Sequence, residues 1–230
     1  MILRDLIDTA LAETAYAAIV TCVALGGLWV SNLAYDRNVP HYLSRKIGHS
    51  AGGLAFLIGV YLFSSAWWPI ILSAIFSFLL FLARIVRPET FRGVGGSGRS
   101  EKAFSEIWFA LIAIPVFGIL WLWLDRPLLA LSCLLFMAWG DCITGVVRSQ
   151  VYHRPVKGLW GSLAMFVVCS TIAWVLIRPL WIGLAASVTA VAAEWAFGDT
   201  SICKWADDNW GVPLAALCTI LIIMSLTGNL

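Results

Sequence analysis

The chain has 230 residues and a formal net charge of +2; 61% of its residues are hydrophobic, only 12% are charged, and its mean hydropathy is +0.89. A chain of this composition cannot expose the polar surface of an ordinary soluble domain, which these values therefore exclude. They favour an integral membrane protein.

The N-terminal segment, residues 1–12, has apolar residues at helical spacing from Ile2 to Leu11 with charged residues between them. This pattern predicts an amphipathic helix in the membrane interface, and an extension of the first span is the alternative. Acidic residues stand where a signal peptide would be basic, so we expect the segment to be retained.

The rest of the chain consists of apolar runs that approach the ~20 residues needed to cross a bilayer. Short loops separate them, and a break near Ser64 divides the second run from the third. We therefore predict one all-α polytopic domain over residues 1–230, a bundle of about eight transmembrane helices (range 7–9). The expected spans are 14–35, 48–65, 66–84, 105–124, 127–147, 161–177, 179–197 and 211–228.

The basic residues predict the orientation of this bundle. With the N-terminus outside, twelve of the fifteen lysines and arginines fall on the cytoplasmic side, and Arg4, Arg126 and Arg178 remain outside. The same orientation places nearly all the polar candidate residues on the cytoplasmic side, although only lysines and arginines determine it.

The second span opens with Arg45, Lys46 and His49. In a helix Arg45 and His49 are four residues apart and share a face. These residues are candidates for phosphate binding, with His49 as a candidate catalytic base; a basic membrane anchor with packing glycines is the alternative. Glu106, at the start of the fourth span, is a further candidate, because a carboxylate there must find a cation or water.

Asp141 ends an otherwise uncharged apolar run and is the most informative residue of the chain. A carboxylate at the rim of a membrane helix is costly unless a metal or cation meets it. Arg148 follows two turns later and Lys157 nine residues after that. A carboxylate beside two cations is typical of a metal-dependent phosphoryl-transfer site, and an ion pair of Asp141 with Arg148 or Lys157 is the structural alternative.

A last acidic group surrounds the loop after the seventh span. Glu194, Asp199 and Asp208 are candidate metal ligands there, and Asn209 is a candidate phosphate-binding residue. A solvated acidic loop is the alternative.

Several of these residues occur in the order found in a known family, and the chain resembles the polyprenol kinases, which include dolichol and phytol kinases and are distantly similar to CDP-diglyceride synthases. The resemblance covers about residues 45–215. It is carried by Arg45-Lys46 with His49, Gly140-Asp141, Lys157 with Gly161-Ser162, Glu194, and Asp208-Asn209 with Pro213-Leu214.

The resemblance implies a CTP-dependent kinase for a lipid alcohol. It implies that Asp141 binds the metal, that Lys157, Gly161 and Ser162 lie at the nucleotide phosphates, and that Asp208 and Asn209 form a second polar pair. One departure concerns Trp160, which stands where relatives often have glutamate. Glu194 or Arg148 would then have to compensate for the missing carboxylate.

We therefore expect transfer of the γ-phosphate of CTP to an isoprenoid alcohol, with Mg²⁺ as cofactor, in a prokaryotic plasma membrane or an ER-type membrane. The expected partners are the nucleotide, the membrane-embedded alcohol and the bilayer, without nucleic acid; a homodimer is left open. The alternatives are a CTP-dependent cytidylyltransferase that makes a CDP-activated lipid and a transporter of an anionic solute.

Overall fold

The computed structural model describes residues 2–95, 104–152, 157–197 and 207–228, which are helical almost throughout. The described residues form eight main helices and one 3₁₀ turn, Pro88–Phe91. The helices are α1 (Ile2–Asp36), α2 (His41–Leu62), α3 (Trp67–Val86), α4 (Ser105–Trp123), α5 (Pro127–Val151), α6 (Leu159–Leu176), α7 (Leu180–Ala196) and α8 (Asp208–Leu226). The predicted all-α architecture is confirmed for these residues.

Six of these helices are long and apolar enough to cross a membrane by length and composition: α1 from Thr9 onward, α3, α4, α5, α6 and α8. The apolar helix α7 is shorter, with 17 residues, and α2 carries charged residues in its first turns. The protein is thus of the multi-pass membrane type, and crossing by all eight helices remains a prediction. Helix α1 continues unbroken from Ile2, as expected if the N-terminal segment extends the first span.

Helix α5 is the centre of the bundle. It contacts α2, α4, α6, α7 and α8, and 72% of its most apolar window is buried, the highest share among the six candidate spans. Residues from Ala130 to Ala138 are almost completely buried because α5 is apolar on all sides. A central helix of this kind brings its C-terminal half next to several other helices at once.

Two helices contain π-helical turns. In α4 the π turn Phe117–Trp123 follows Pro115, which lacks the N–H of a regular helical hydrogen bond. In α5 the π turn Phe136–Gly140 ends directly before Asp141. Such turns redirect the side chains that follow them and are frequent at functional sites.

A buried carboxylate that the sequence did not indicate lies in the N-terminal half of α1. Glu13 of α1 is 8% exposed, and its Oε1 accepts hydrogen bonds from Ser64 N (3.2 Å) and Ser64 Oγ (2.6 Å). Ser64 lies in the turn between α2 and α3. These hydrogen bonds connect α1 to that turn. They join positions 51 apart in the chain and have a structural role.

Candidate active site

Three buried carboxylates meet where the C-terminal half of α5, the last turn of α7 and the first turn of α8 come together. They belong to Asp141, Glu194 and Asp208, and one oxygen of each lies within 4.8 Å of the others. Their residues are 3%, 0% and 9% exposed. We call these three residues the carboxylate cluster. It unites three of the four metal ligands that the sequence suggested, while Asp199 lies outside the described residues.

The first turn of α8 is held in place by a side-chain cap. Asp207 Oδ1 accepts a hydrogen bond from Asn209 N at 2.8 Å, which satisfies a free N–H at the helix start. Ser105 Oγ of α4 donates to Asp207 Oδ2, and Asn209 Nδ2 donates to Ser105 O at 2.8 Å. These bonds join α8 to α4 and position Asp208 in the carboxylate cluster.

Asp141 is paired with a cation from α2. Lys46 Nζ donates a hydrogen bond to Asp141 Oδ2, and Thr144 Oγ1 lies 3.1 Å from Asp141 Oδ1. The aliphatic stem of Lys46 packs on Gly145, where an added Cβ would lie 2.8 Å from Lys46 Cε. Gly145 therefore provides the room through which Lys46 reaches the carboxylate.

Glu194 is paired with two cations. Arg148 Nη2 donates to Glu194 Oε1 at 2.7 Å, and Lys157 Nζ lies 3.4 Å from the same oxygen. Gly161 makes room for Arg148, because a Cβ there would lie 3.0 Å from Arg148 Nε. The ion pairs of Asp141 with Arg148 or Lys157, considered from the sequence, are not those formed: both cations pair with Glu194, and Asp141 pairs with Lys46.

Lys157 also stabilises the end of α7. Its Nζ donates to the carbonyl oxygens of Glu194, in the last turn of α7, and of Phe197, the residue that follows the helix. Lys157 thus combines an ion pair with a helix-capping contact. A substitution there would disturb the backbone of α7 as well as the charge of the site.

Three buried oxygens next to these ion pairs lack a hydrogen-bond partner within the described part of the chain: Glu194 Oε2, Asp208 Oδ1 and Asn209 Oδ1. Buried acceptors without a donor are rare in folded proteins and indicate a missing cation, proton or water. Oxygens on opposite sides of a bound cation are about 4.2 Å apart for Mg²⁺ and about 5 Å apart for Ca²⁺. The carboxylate cluster, with its 4.8 Å limit, fits a hard divalent cation.

The charges of the site balance without such a cation. The carboxylate cluster carries three negative charges, and Lys46, Arg148 and Lys157 carry three positive ones within hydrogen-bond or ion-pair reach of Asp141 and Glu194. A divalent cation at the carboxylates would leave the positive side chains in excess. They would then attract an anionic ligand, which is the arrangement of sites that bind metal-complexed phosphates.

His49 of α2 lies between Asp141 of the site and Phe109 of α4. Its Nδ1 is 4.0 Å from Asp141 Oδ2, and its ring packs on Phe109 with centroids 4.6 Å apart. Arg45 is half-buried one turn earlier on the same helix. His49 is therefore close enough to Asp141 to act together with it.

Glu106 and Trp160 lie apart from the carboxylate cluster. Glu106 is buried and pairs with Arg84, whose Nη1 donates to Glu106 Oε1 at 2.6 Å. Trp160 is 57% exposed, so its ring is not enclosed by the site. Ser162 is buried and accepts a hydrogen bond from the indole N–H of Trp195. Ser162, which follows Gly161 in α6, thus joins α6 to α7 through this hydrogen bond.

Two positioning residues were missed by the sequence interpretation. Asp207 could have been recognised, since an aspartate directly before an apolar run is a helix N-cap signal. Ser105 could not, because its contact with Asp207 joins positions 102 apart in the chain. Both act by holding Asp208 and Asn209 in place.

Comparisons with protein-family models, curated proteins and solved structures gave no match to this chain. The function of the protein must therefore be inferred from its sequence, its fold and the geometry of the carboxylate cluster with its cations.

Proposed function

We propose that the protein transfers the γ-phosphoryl group of a nucleoside triphosphate, CTP in the first instance, to an isoprenoid alcohol in the membrane. The observation that carries the proposal is the convergence of three buried carboxylates from three helices next to Lys46, Arg148 and Lys157. The order of motifs shared with polyprenol kinases supports the choice of nucleotide and acceptor.

Asp141, Glu194 and Asp208 would hold the divalent cation, Mg²⁺ in this proposal. When bound, the cation neutralises charge on the phosphate oxygens and aligns them for transfer. Lys46, Arg148 and Lys157 would exchange part of their ion pairing with the carboxylates for contacts with the polyphosphate. They thereby stabilise charge that develops in the transition state.

The acceptor hydroxyl requires alignment more than activation, because phosphoryl transfer proceeds through a loose transition state. His49 and Asp208 are the two candidates for accepting its proton. His49 Nδ1 is 4.0 Å from Asp141 Oδ2, so a hydroxyl that donates to His49 would lie beside the carboxylate cluster. We propose the cytoplasmic face for this reaction, which the positive-inside pattern of the sequence supports.

Transport of an anionic solute is the competing function from another class. Coupling sites of transporters lie near the middle of the membrane, at the interface of internal repeats. In the carboxylate cluster, Asp141 lies in the C-terminal half of α5, but Glu194 is in the last turn of α7 and Asp208 in the first turn of α8. This position favours an enzyme that meets a cytoplasmic nucleotide.

The test supplies purified protein and Mg²⁺ with CTP labelled at either the α- or the γ-phosphate, together with lipid alcohols and lipid phosphates. We expect label from the γ position in the alcohol. Label from the α position in the lipid would identify a cytidylyltransferase. Absence of label from either position would refute the proposal that the protein is an enzyme of this kind. Asp141→Asn is the variant expected to be inactive, and Asp125→Asn is its matched control.

Asp125 suits this control for two structural reasons. It is exposed in the turn between α4 and α5, some 16 residues from Asp141 along the chain. Its φ of 52° lies in the left-handed region, which asparagine tolerates well. The same chemical change is thus made far from the carboxylate cluster and without backbone strain.

A further inference from the structure

A long cavity lies between α1, α2, α3 and α4. The non-atom space in this region is about 830 Å³, a value that includes the gaps between side chains and open solvent. Most of the described residues that line it are apolar, from Val20 and Leu28 of α1 to Phe76 of α3. Neither the carboxylate cluster nor its cations line this space, so their proposed role in phosphoryl transfer does not account for it.

The cavity has one polar end. His49 and Glu106 are its only ionisable lining residues within the described chain, and both lie near the site end of their helices. His49 is also 4.0 Å from Asp141, and Glu106 Oε2 has no hydrogen-bond partner among the described residues. The polar end of the cavity therefore adjoins the carboxylate cluster through His49.

The opposite end of the cavity is lined by Phe63. Phe63 is 5% exposed and stacks on Trp68, with ring centroids 6.0 Å apart. Along α2 the lining extends from His49 to Phe63, which is about 21 Å at 1.5 Å per residue, whereas the linings on α3 and α4 cover about 16 Å. The residues that line this apolar cavity thus extend over about 16 to 21 Å along the helices.

We infer that this cavity holds the hydrocarbon chain of the acceptor alcohol, with the hydroxyl at His49 and the chain end at Phe63. An extended chain advances by about 1.25 Å per carbon, so 16–21 Å accommodates about 13 to 17 main-chain carbons, or three to four isoprene units. The inference rests on the proposed function, because that function supplies the alcohol whose hydroxyl lies at His49. It adds a binding site for the hydrocarbon chain and a limit on the length of that chain.

The position of the cavity suits a ligand that arrives from the bilayer. Helices α1 and α3, which form two of its walls, have only 22% of their most apolar windows buried, the lowest share among the candidate spans. Helix α1 packs closely on α2 and sparsely on α3. A hydrocarbon chain therefore has a single layer of helices between it and the lipid.

The binding test uses an isoprenoid alcohol of four units with a photoactivatable diazirine at the chain end, added to the full-length protein in lipid. We expect the cross-link near Gly59 and Phe63 of α2 or Pro69 of α3. A cross-link mainly in α5 to α8 would overturn the inference. Because this measurement needs no phosphate transfer, it remains informative if the proposed function fails.

The length test compares alcohols of two to eight isoprene units. Gly59 lines the cavity, and a Cβ there has ordinary contacts, the nearest to Phe63 at 3.7 Å, so Gly59→Leu extends into the space. We expect it to lower turnover of the four-unit alcohol at least tenfold and to spare the two-unit alcohol. Gly26→Leu is the control, because a Cβ at that exposed position meets nothing within 4 Å.

Phe63→Ala provides an independent variant with the opposite expectation. Removal of the buried ring that lines the far end of the cavity should raise the relative turnover of five- and six-unit alcohols at least threefold. An identical length profile in wild type, Gly59→Leu and Phe63→Ala would overturn the inference, while γ-phosphate transfer in all three would leave the proposed function standing.

Discussion

Glu194→Gln is the perturbation that probes the site most directly, because it removes one charge and almost no volume. Glu194 is 0% exposed, and its Oε1 is 2.7 Å from Arg148 Nη2 and 3.4 Å from Lys157 Nζ. At an effective dielectric constant of about 20, unit charges at these distances attract by ~6 and ~5 kcal/mol. Glutamine forfeits both attractions and leaves one buried positive charge in excess.

Part of this loss is offset, because charged Glu194 must itself give up hydration in the folded protein. Breaking one partner of a buried ion pair costs about 3 to 5 kcal/mol. For a chain of this size, such a loss lowers the unfolding temperature by roughly 6 to 20 °C. Thermal unfolding in detergent, without added metal, measures this effect separately from activity.

Two further variants make the measurement decisive. Glu89→Gln is the matched control, since the Glu89 side chain is 82% exposed and lies 3.8 Å from Arg92, so its loss should change unfolding little. Arg148→Gln combined with Glu194→Gln restores the charge balance and should recover about 1 to 3 kcal/mol. Equal unfolding temperatures for the two single variants would refute the electrostatic reasoning.

The remaining predictions concern metal binding, activity and topology. Mg²⁺ at about 100 times its dissociation constant should stabilise the wild type by ~2.7 kcal/mol in thermal unfolding, and Asp208→Asn should abolish the gain; an unchanged gain would exclude Asp208 as a ligand. Gly145→Val should displace Lys46 and lower γ-phosphate transfer at least tenfold per folded molecule, because its Cβ would clash with the lysine stem at 2.8 Å; wild-type turnover would contradict this. Trp160→Glu should not raise turnover, because the 57% exposed residue is not enclosed by the site. In a cysteine-free background, a cysteine at Gly96 should react with an impermeant thiol reagent only in opened cells, and labelling of intact cells would invert the orientation.

The positions of the helices could be predicted from the sequence because apolar length is a local property. The break near Ser64 separates α2 from α3 as expected, and the spans predicted at 105–124, 127–147 and 161–177 correspond to α4, α5 and α6. Helix α2 begins at His41, seven residues before the predicted span, because the polar residues of its first turns obscure the start of an apolar run.

For the candidate site, the sequence allowed the three carboxylates to be predicted. Asp141, Glu194 and Asp208 are conspicuous because charge is costly beside membrane helices, and this cost is visible in the sequence alone. Which cation meets which carboxylate was not predictable. Lys46 and Asp141 are 95 positions apart, and the choice depends on the room that Gly145 leaves for the lysine stem.

The sequence by itself thus determined that the protein is an apolar helical chain with buried acidic residues near the ends of its helices, because hydrophobicity and charge act residue by residue. Only the tertiary structure decided that three carboxylates converge, that Arg148 pairs with Glu194, and that one cavity is lined by both Phe63 and His49. These features depend on the packing of helices against one another, where a single missing Cβ, as at Gly145 or Gly161, determines which side chains can meet.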